Sequence, residues 1–429
     1  MFKSIDSIAT LLTQNQPDKI AKKCKFIQRN SSQLSALSFV LTLLKSLCSG
    51  DTSFSAMASC HAKLQQTSIS RQAMHKRINR SAVTFLSRLI KKIIQSQPNN
   101  TSLHLVNKRF NRVLLEDCTV LKVHKDNKKI FRGNGNGKHE TAGGKIHHLI
   151  DWTNAKTLIS SLHHARDADQ SLNEKICQHL KPRDLVLRDM GFFKLTTLKG
   201  ITDAGAFWIS RLPTSIVGIE SKTAKPLNEI LKSTKLKQLD LEITLGTKSK
   251  LRCRVIARRL PEAIVAANIR KRKADAKRRG ATPNKESYLR DRWAILCTNI
   301  KNDVSPHKLQ ALYQIRWNIE IQFRGIKQSL EIEKSTRRKL NKYHLKCLLL
   351  GIIIYQLLTF VMINKIIQNI SIKEYTMLSY EKLCKELSYY FNSLTIKTFK
   401  TPIKIYVRHI YQEKRNRKTA YCKALMALS

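Results

Sequence analysis

The spacing of apolar and polar positions divides the chain into stretches of different period. Through 1–100 apolar residues recur at helical spacing, with stripes at 36–48 (ALSFVLTLLKSLC) and 82–95. Between them, SFSAMASCHAKLQQTSISRQAMHKRINR predicts a helix over 53–64, a turn through Gln66 to Ile69, and a second helix opening at Ser70 as N-cap. From 101 to 212 the period shortens to two. RVLLEDCTVLKVH (112–124), KIHHLID (145–151) and KTLISSLHH (156–164) read as strands. The first two are joined through GNGNG and GG, a hairpin connection without the Lys-Ser/Thr of a phosphate loop. A helix at 169–180, a strand RDLVLRD (183–189), a short helix and a strand AFWISRL (206–212) follow. Three early strands and then strand–helix–strand predict an α/β fold, a mixed sheet with helices packed against it.

Residues 213–292 interrupt this pattern with two strands, LDLEITL and LRCRVIARR, and then RKRKADAKRR. That basic run reads equally as a solvated loop or as a phosphate track. WAILCTN (293–299) is again strand-like, and one long helix is expected from Ser305 to Leu330. CLLLGIIIYQLLTFVMI (347–363) has the apolarity of a membrane span. It is short for one and carries Gly351 and Gln356, so a buried helix and no membrane partner are the expectation. The basic tail, 372–429, reads as mostly helical.

Charge changes the picture most. The 429 residues carry 79 Lys and Arg against 30 Asp and Glu, a formal net charge of +49. Apolar residues make up 42%, enough for a sizeable core, so the imbalance does not mean disorder. A field of this size calls for a polyanion, nucleic acid first, and argues against an enzyme of small acidic metabolites. The second predicted helix of the 53–77 segment would then offer Arg71, Gln72, His75 and Lys76 to a DNA groove. An ordinary pair of core helices with basic outer faces explains the same pattern. The ten cysteines are scattered without metal-ligand spacing and read as small hydrophobes in a reducing compartment. The N-terminal MFKSIDSIATLL, broken by Asp6, has no expected secretion signal.

Where acids are scarce, those set in apolar strands stand out. Asp117 lies within VLLEDCTVL, on the face shared by Leu115 and Thr119, with Glu116 on the other. Asp189 ends RDLVLRD, where carboxylates open into the ligand crevice of α/β sheets. On the predicted long helix, Tyr313, Arg316, Glu320 and Lys327 fall in one stripe about 60° wide, beside an apolar face of Ile315, Ile319, Phe323, Ile326 and Leu330. Three carboxylates in so basic a chain suit two-metal phosphodiester chemistry, with hard oxygen donors leaving sites for water and phosphate.

Tyr-x2-Arg-x3-Glu-x6-Lys, here Tyr313, Arg316, Glu320 and Lys327, resembles the signature of the DDE transposases of bacterial insertion sequences, in the branch named for insertion sequence four. LLEDCTVL and RDMGFF resemble that family's two aspartate segments, and the resemblance covers about 105–335. It implies a ribonuclease H-like mixed sheet flanked by helices, with a β-rich insertion and helical N- and C-terminal regions. The implied division is a DNA-binding region at 1–100, a catalytic domain at 101–335 with its basic insertion at 213–292, and a C-terminal region at 336–429 for dimerisation or DNA contacts. By the resemblance, Asp117, Asp189 and Glu320 hold two ions, Mg2+ or Mn2+. Tyr313, Arg316 and Lys327 contact phosphates at the transposon end. Trp293 either holds a flipped base or packs as a core strand residue. The implied activity is cut-and-paste transposition: cleavage at inverted-repeat ends and strand transfer to target DNA by a homodimer, in the cytoplasm and on the nucleoid. A nuclease on the same core and an inactive DNA-binding protein are the alternatives.

Overall fold

The computed structural model describes residues 2–5, 8–28, 33–97, 109–135, 140–247, 250–283, 285–369, 377–395, 398–401 and 403–406. Their elements follow in chain order: β1 (Phe2–Ile5), α1 (Ile8–Thr13), α2 (Pro17–Lys23), α3 (Ala36–Ser49), α4 (Phe54–Gln65), α5 (Arg71–Arg77) and α6 (Arg80–Gln95). The strand-rich part contains β2 (Arg112–Lys122), β3 (Gly143–Asp151), β4 (Lys156–His164), α7 (Glu174–Cys177), β5 (Asp184–Arg188), α8 (Leu195–Asp203) and β6 (Phe207–Arg211). Next come β7 (Gly218–Glu220), α9 (Leu227–Ser233), β8 (Gln238–Leu245), β9 (Leu251–Arg259), α10 (Glu262–Arg279), α11 (Lys285–Arg290) and β10 (Trp293–Thr298). The last are α12 (Pro306–Gln314), α13 (Trp317–Ser329), α14 (Ile332–Thr336), α15 (Lys342–Gln368), α16 (Tyr380–Ser393) and β11 (Ile403–Tyr406).

Nine strands form one sheet in the order β4-β3-β2-β5-β6-β10-β9-β8-β7, and β1 pairs with β11 apart from it. Three consecutive strands at one side, then β5 and β6 added parallel to β2, give the ribonuclease H-like arrangement expected from the sequence. From β6 through β10, β9, β8 and β7 every pairing is antiparallel. Three strands of the 213–292 insertion, the two expected ones (β8 and β9) and the short β7, are therefore extensions of the central sheet. Of the two readings of RKRKADAKRR, the solvated loop is overturned, because the run forms the C-terminal part of helix α10.

By its contacts the chain forms two compact units. One comprises the described residues of Met1–Leu105, Asp117–Asp167 and Trp317–Leu425; the other comprises those of Val106–Glu116 and Ala168–Arg316. Strand β2 changes unit between Glu116 and Asp117.

In the first unit α15 is the core element. Its length and composition would suffice to cross a membrane, but its most apolar stretch is wholly buried, against α3, α6, β4 and α16. A Cβ at Gly351 would meet Leu43 Cδ2 at 2.8 Å, so glycine there lets α15 and α3 approach closely. Tyr355 buries its ring and donates its hydroxyl to the Cys384 carbonyl on α16 at 3.1 Å. Lys45 of α3, also buried, reaches the carbonyls of Asn392 and Leu394 at the end of α16, where a cation satisfies carbonyls that the helix leaves open. Helix α16 packs in turn on α13.

The 53–77 segment folds as its pattern predicts. Ser53 caps α4 by accepting from the Ala56 amide, Gln66 turns the chain at φ 56°, and Ser70 caps α5 by accepting from the Ala73 amide at 3.1 Å. Met74 is buried beneath α5.

Candidate active site

Asp189 directly follows β5 in the second unit, whereas Asp117 lies within β2 on the first unit's side of the border. Strands β2 and β5 run parallel from Arg112 opposite Asp184 to Glu116 opposite Arg188. Both ends of this pairing carry ion pairs. Arg112 Nε donates to Asp184 Oδ1 at 2.8 Å, and Arg188 Nε stands 2.7 Å from Glu116 Oε2. The Glu116 and Arg188 side chains are 0% and 1% exposed, so a full charge pair is sealed in the sheet. Arg188 also donates to the Asn173 side chain and lies 5.2 Å over the Phe192 ring. Each member of the pair immediately precedes one aspartate of the predicted triad.

Asp189 follows β5, half-buried, and its Oδ1 is buried without a hydrogen-bond partner. The Tyr313 hydroxyl donates to the Arg188 carbonyl at 3.2 Å, which fastens the end of α12 to the start of the Asp189 turn. Burial raises the Tyr313 phenol well above its ordinary range; the neighbouring Arg316 opposes this and the Asp189 charge adds to it. The Arg316 guanidinium lies 5.7 Å over the Tyr313 ring and is 4% exposed. Tyr313, Arg316 and Asp189 are thus gathered in one place within this unit.

The single helix expected from 305 to 330 is two helices. After Gln314 the Ile315 and Arg316 amides bond to the carbonyls of Leu312 and Tyr313, three residues back, and α13 begins at Trp317. This tightened turn interrupts the 100° step on which the four-residue stripe was drawn. Tyr313 and Arg316 belong to the second unit, and Glu320 and Lys327 to the first.

In the first unit Asp117 is half-buried on β2, and its Oδ1 accepts from the Cys118 amide at 2.7 Å. Lys327, on α13, is within reach of its charge: burial lowers the Lys327 pKa, while Glu333 and Asp117 raise it. Glu320 lies in the first turn of α13, half-buried. Glu320 and Lys327 stay about 20° apart on the wheel because both are within α13. Between them, a Cβ at Gly325 would come within 2.9 Å of Cys384 Sγ, so α13 is pressed onto α16 where Glu320 and Lys327 are carried.

Among the described residues no three His, Cys, Asp or Glu side chains are gathered into a metal-holding group. The three predicted carboxylates are, by their chemistry, hard oxygen donors of the kind that suits a divalent cation. Asp117, Asp189 and Glu320 supply only carboxylate oxygens, and Asp189 Oδ1 is a buried acceptor that no described protein donor satisfies.

The remaining predicted residues lie elsewhere. Trp293 opens β10, 5% exposed, with the Arg259 guanidinium 4.9 Å over its ring. Arg71 and Lys76 are exposed on α5 with Gln72 and His75. Two features escaped sequence reading. The Glu116–Arg188 pair was hidden because each residue was overshadowed by its neighbouring aspartate. Trp317 is 49% exposed, one turn before Glu320. Its place in the string RWNIE, beside the basic signature, was the available signal.

Residues 108–357 match the family described as the transposase DDE domain. The chain is similar to the transposase for insertion sequence element IS1151 of Clostridium perfringens, 26% identical over 416 residues, 90% of this chain and 86% of that protein. It is also similar to the transposase for insertion sequence element IS231B of Bacillus thuringiensis subsp. berliner, 26% identical over 344 residues, covering 75% and 72%. A chain of the piggyBac transposase synaptic complex with hairpin DNA, solved by cryo-electron microscopy, is similar at a TM-score of 0.49 and 12% identity, covering 91% of this chain and 80% of that one.

Proposed function

The chain belongs to the DDE-domain transposases, enzymes of DNA transposition that use divalent metal, and from that premise we propose a cut-and-paste reaction with Asp117, Asp189 and Glu320 as its metal-holding carboxylates. The observation that carries the assignment is the fastening of Tyr313, the first residue of the signature, to the Arg188 carbonyl beside Asp189. Two segments that sequence alone related by resemblance are joined there by a hydrogen bond. Two Mg2+ or Mn2+ ions would supply an activated water or 3′-hydroxyl and charge neutralisation at the leaving oxygen.

The chain's own residues bind and orient. Asp189 offers an acceptor that the fold leaves open, and Asp117 and Glu320 offer carboxylates on a strand and on a helix's first turn. Arg316, pre-positioned on the Tyr313 ring, and Lys327, held near Asp117, provide cations for the phosphates of the transposon end. Exposed Trp317 suits stacking on an unpaired base, and buried Trp293 would need to be uncovered to do so. Arg71 and Lys76 on α5 would contact DNA outside the chemistry. Joining two ends to one target calls for a homodimer on the DNA. The proposed division of labour is DNA binding at 1–100, catalysis at 101–335 and dimerisation or DNA contact at 336–429, in the cytoplasm and on the nucleoid.

Incubation with donor ends, Mg2+ and a supercoiled target tests the assignment. Asp117→Asn, Asp189→Asn and Glu320→Gln are each expected to abolish cleavage and joined products while a gel shift still shows end binding. Wild-type cleavage by any of the three removes that residue from the set. Cleavage by the unaltered chain with no joined products would make it a nuclease on the same core.

A further inference from the structure

We infer that α10 is a docking surface for the phosphate backbone of duplex DNA, engaged without regard to base sequence. The inference rests on the transposase reading for the identity of the polyanion and adds a surface that the catalytic assignment leaves unused.

Helix α10 has 18 residues, a length of about 27 Å. Among its described side chains only Val265 is buried. One face is tied down elsewhere: Asn268 donates to the Asp291 carbonyl at 3.2 Å, and Arg272 pairs with the Asp291 carboxylate at 2.5 Å. The opposite face is exposed and carries Arg270, Lys273 and Lys277, with Lys271 and Arg278 exposed along its flank. Asp275 pairs with Arg278, and Glu262 lies at the far end near Arg292, so neither neutralises the others.

Arg270, Lys273 and Lys277 recur at i, i+3 and i+7 and make one stripe about 60° wide. Like charges at this spacing destabilise a helix that has so little apolar packing to hold it. Duplex DNA carries one negative charge per about 1.7 Å of its axis, so a rod of this length laid along it would meet a matching line of phosphates. Sequence selectivity is not expected, because Asn268, the helix's one amide side chain, is turned to the protein and two of the three stripe residues are lysines, which act as point charges.

The test compares the full chain with an Arg270→Gln, Lys273→Gln, Lys277→Gln variant, glutamine being a good helix former. Gel shifts in EDTA would use a duplex carrying the element's end and an unrelated duplex of equal length, across a salt series. The slope of log affinity against log salt should become shallower by about three, roughly one per cation, and equally on both duplexes. Lys273→Arg with Lys277→Arg should keep the wild-type slope. Single glutamine variants, each expected to shift the slope by about one, carry the same test should the triple variant lose helix by circular dichroism. An unchanged slope, or a loss confined to the end sequence, overturns the inference while leaving the transposase reading intact. A wild-type chain that binds neither duplex sinks that reading instead.

Discussion

The Glu116–Arg188 pair sets two opposite charges where water cannot reach either. Such a pair gains little over an apolar filling of the same volume, but removing one partner strands the other. Arg188→Met should cost about 3–5 kcal/mol in urea unfolding, and Glu116→Leu a similar amount. The double variant should lie closer to wild type than either single one. Additive losses would show that the two charges do not stabilise one another. Asp117 and Asp189 drew attention in the sequence because acids within or just after apolar strands are conspicuous. The pair behind them was not legible there, since its significance depends on β2 meeting β5 in one particular register, which single-strand patterns do not encode.

At the scale of elements, period and capping located β2 to β6, β8 to β10 and most helices. Strands β1 and β11 lie where helix was expected, β7, α9 and α11 went unread, and other failures came where the backbone departs from a regular period. The two bonds at Ile315 and Arg316 are too local a change to alter apolar spacing, so the wheel drawn from 305 to 330 ran through a break. The basic run in α10 failed for the converse reason, as a helix with so few buried side chains has no apolar stripe to announce it. Strand β3 shows a different cost. It is buried along its whole length, and His148 has neither ring nitrogen hydrogen-bonded. Burial, with a smaller contribution from His147, lowers its pKa to about 3. Unfolded, the ring takes up a proton below about pH 6.5. Between these limits the unfolded chain binds more protons, so stability falls as the pH drops through that window. His344, which burial lowers to about 4, adds to the same slope. His148→Leu should therefore raise the melting temperature at neutral pH, by relief of about 1 kcal/mol or more of unsatisfied polarity. The gain should be larger at pH 4 than at pH 7. Equal acid sensitivity in variant and wild type would count against this account.

For the whole molecule the strongest influence is the +49 charge, which opposes folding by self-repulsion and favours DNA by counterion release. Salt should act on these in opposite directions. From about 50 mM to about 500 mM NaCl the DNA-free protein should melt at a higher temperature, as a shorter Debye length screens repulsion. Over the same range its affinity for DNA should fall steeply. Calorimetry that showed melting temperature falling with salt would mean that attractive ion pairs outweigh repulsion. Charge and length were readable at once from composition; the two-unit division was not. It depends on which stretches of chain pack together, and the Trp317 side of the signature belongs with helices over two hundred residues away in sequence.

The position of the unit border inside β2 bears on any attempt to take the protein apart. A cut at the border between Glu116 and Asp117 would sever β2 in mid-strand. The first unit is moreover assembled from three separate lengths of polypeptide, with the second unit's residues intervening. Translation must therefore run past Trp317 before α13 and α15 exist to complete what the first hundred residues began. Expression of N-terminal halves is thereby a poor route to a soluble DNA-binding fragment, and shortening the chain from its C-terminal end into α15 would remove the core that its beginning folds around.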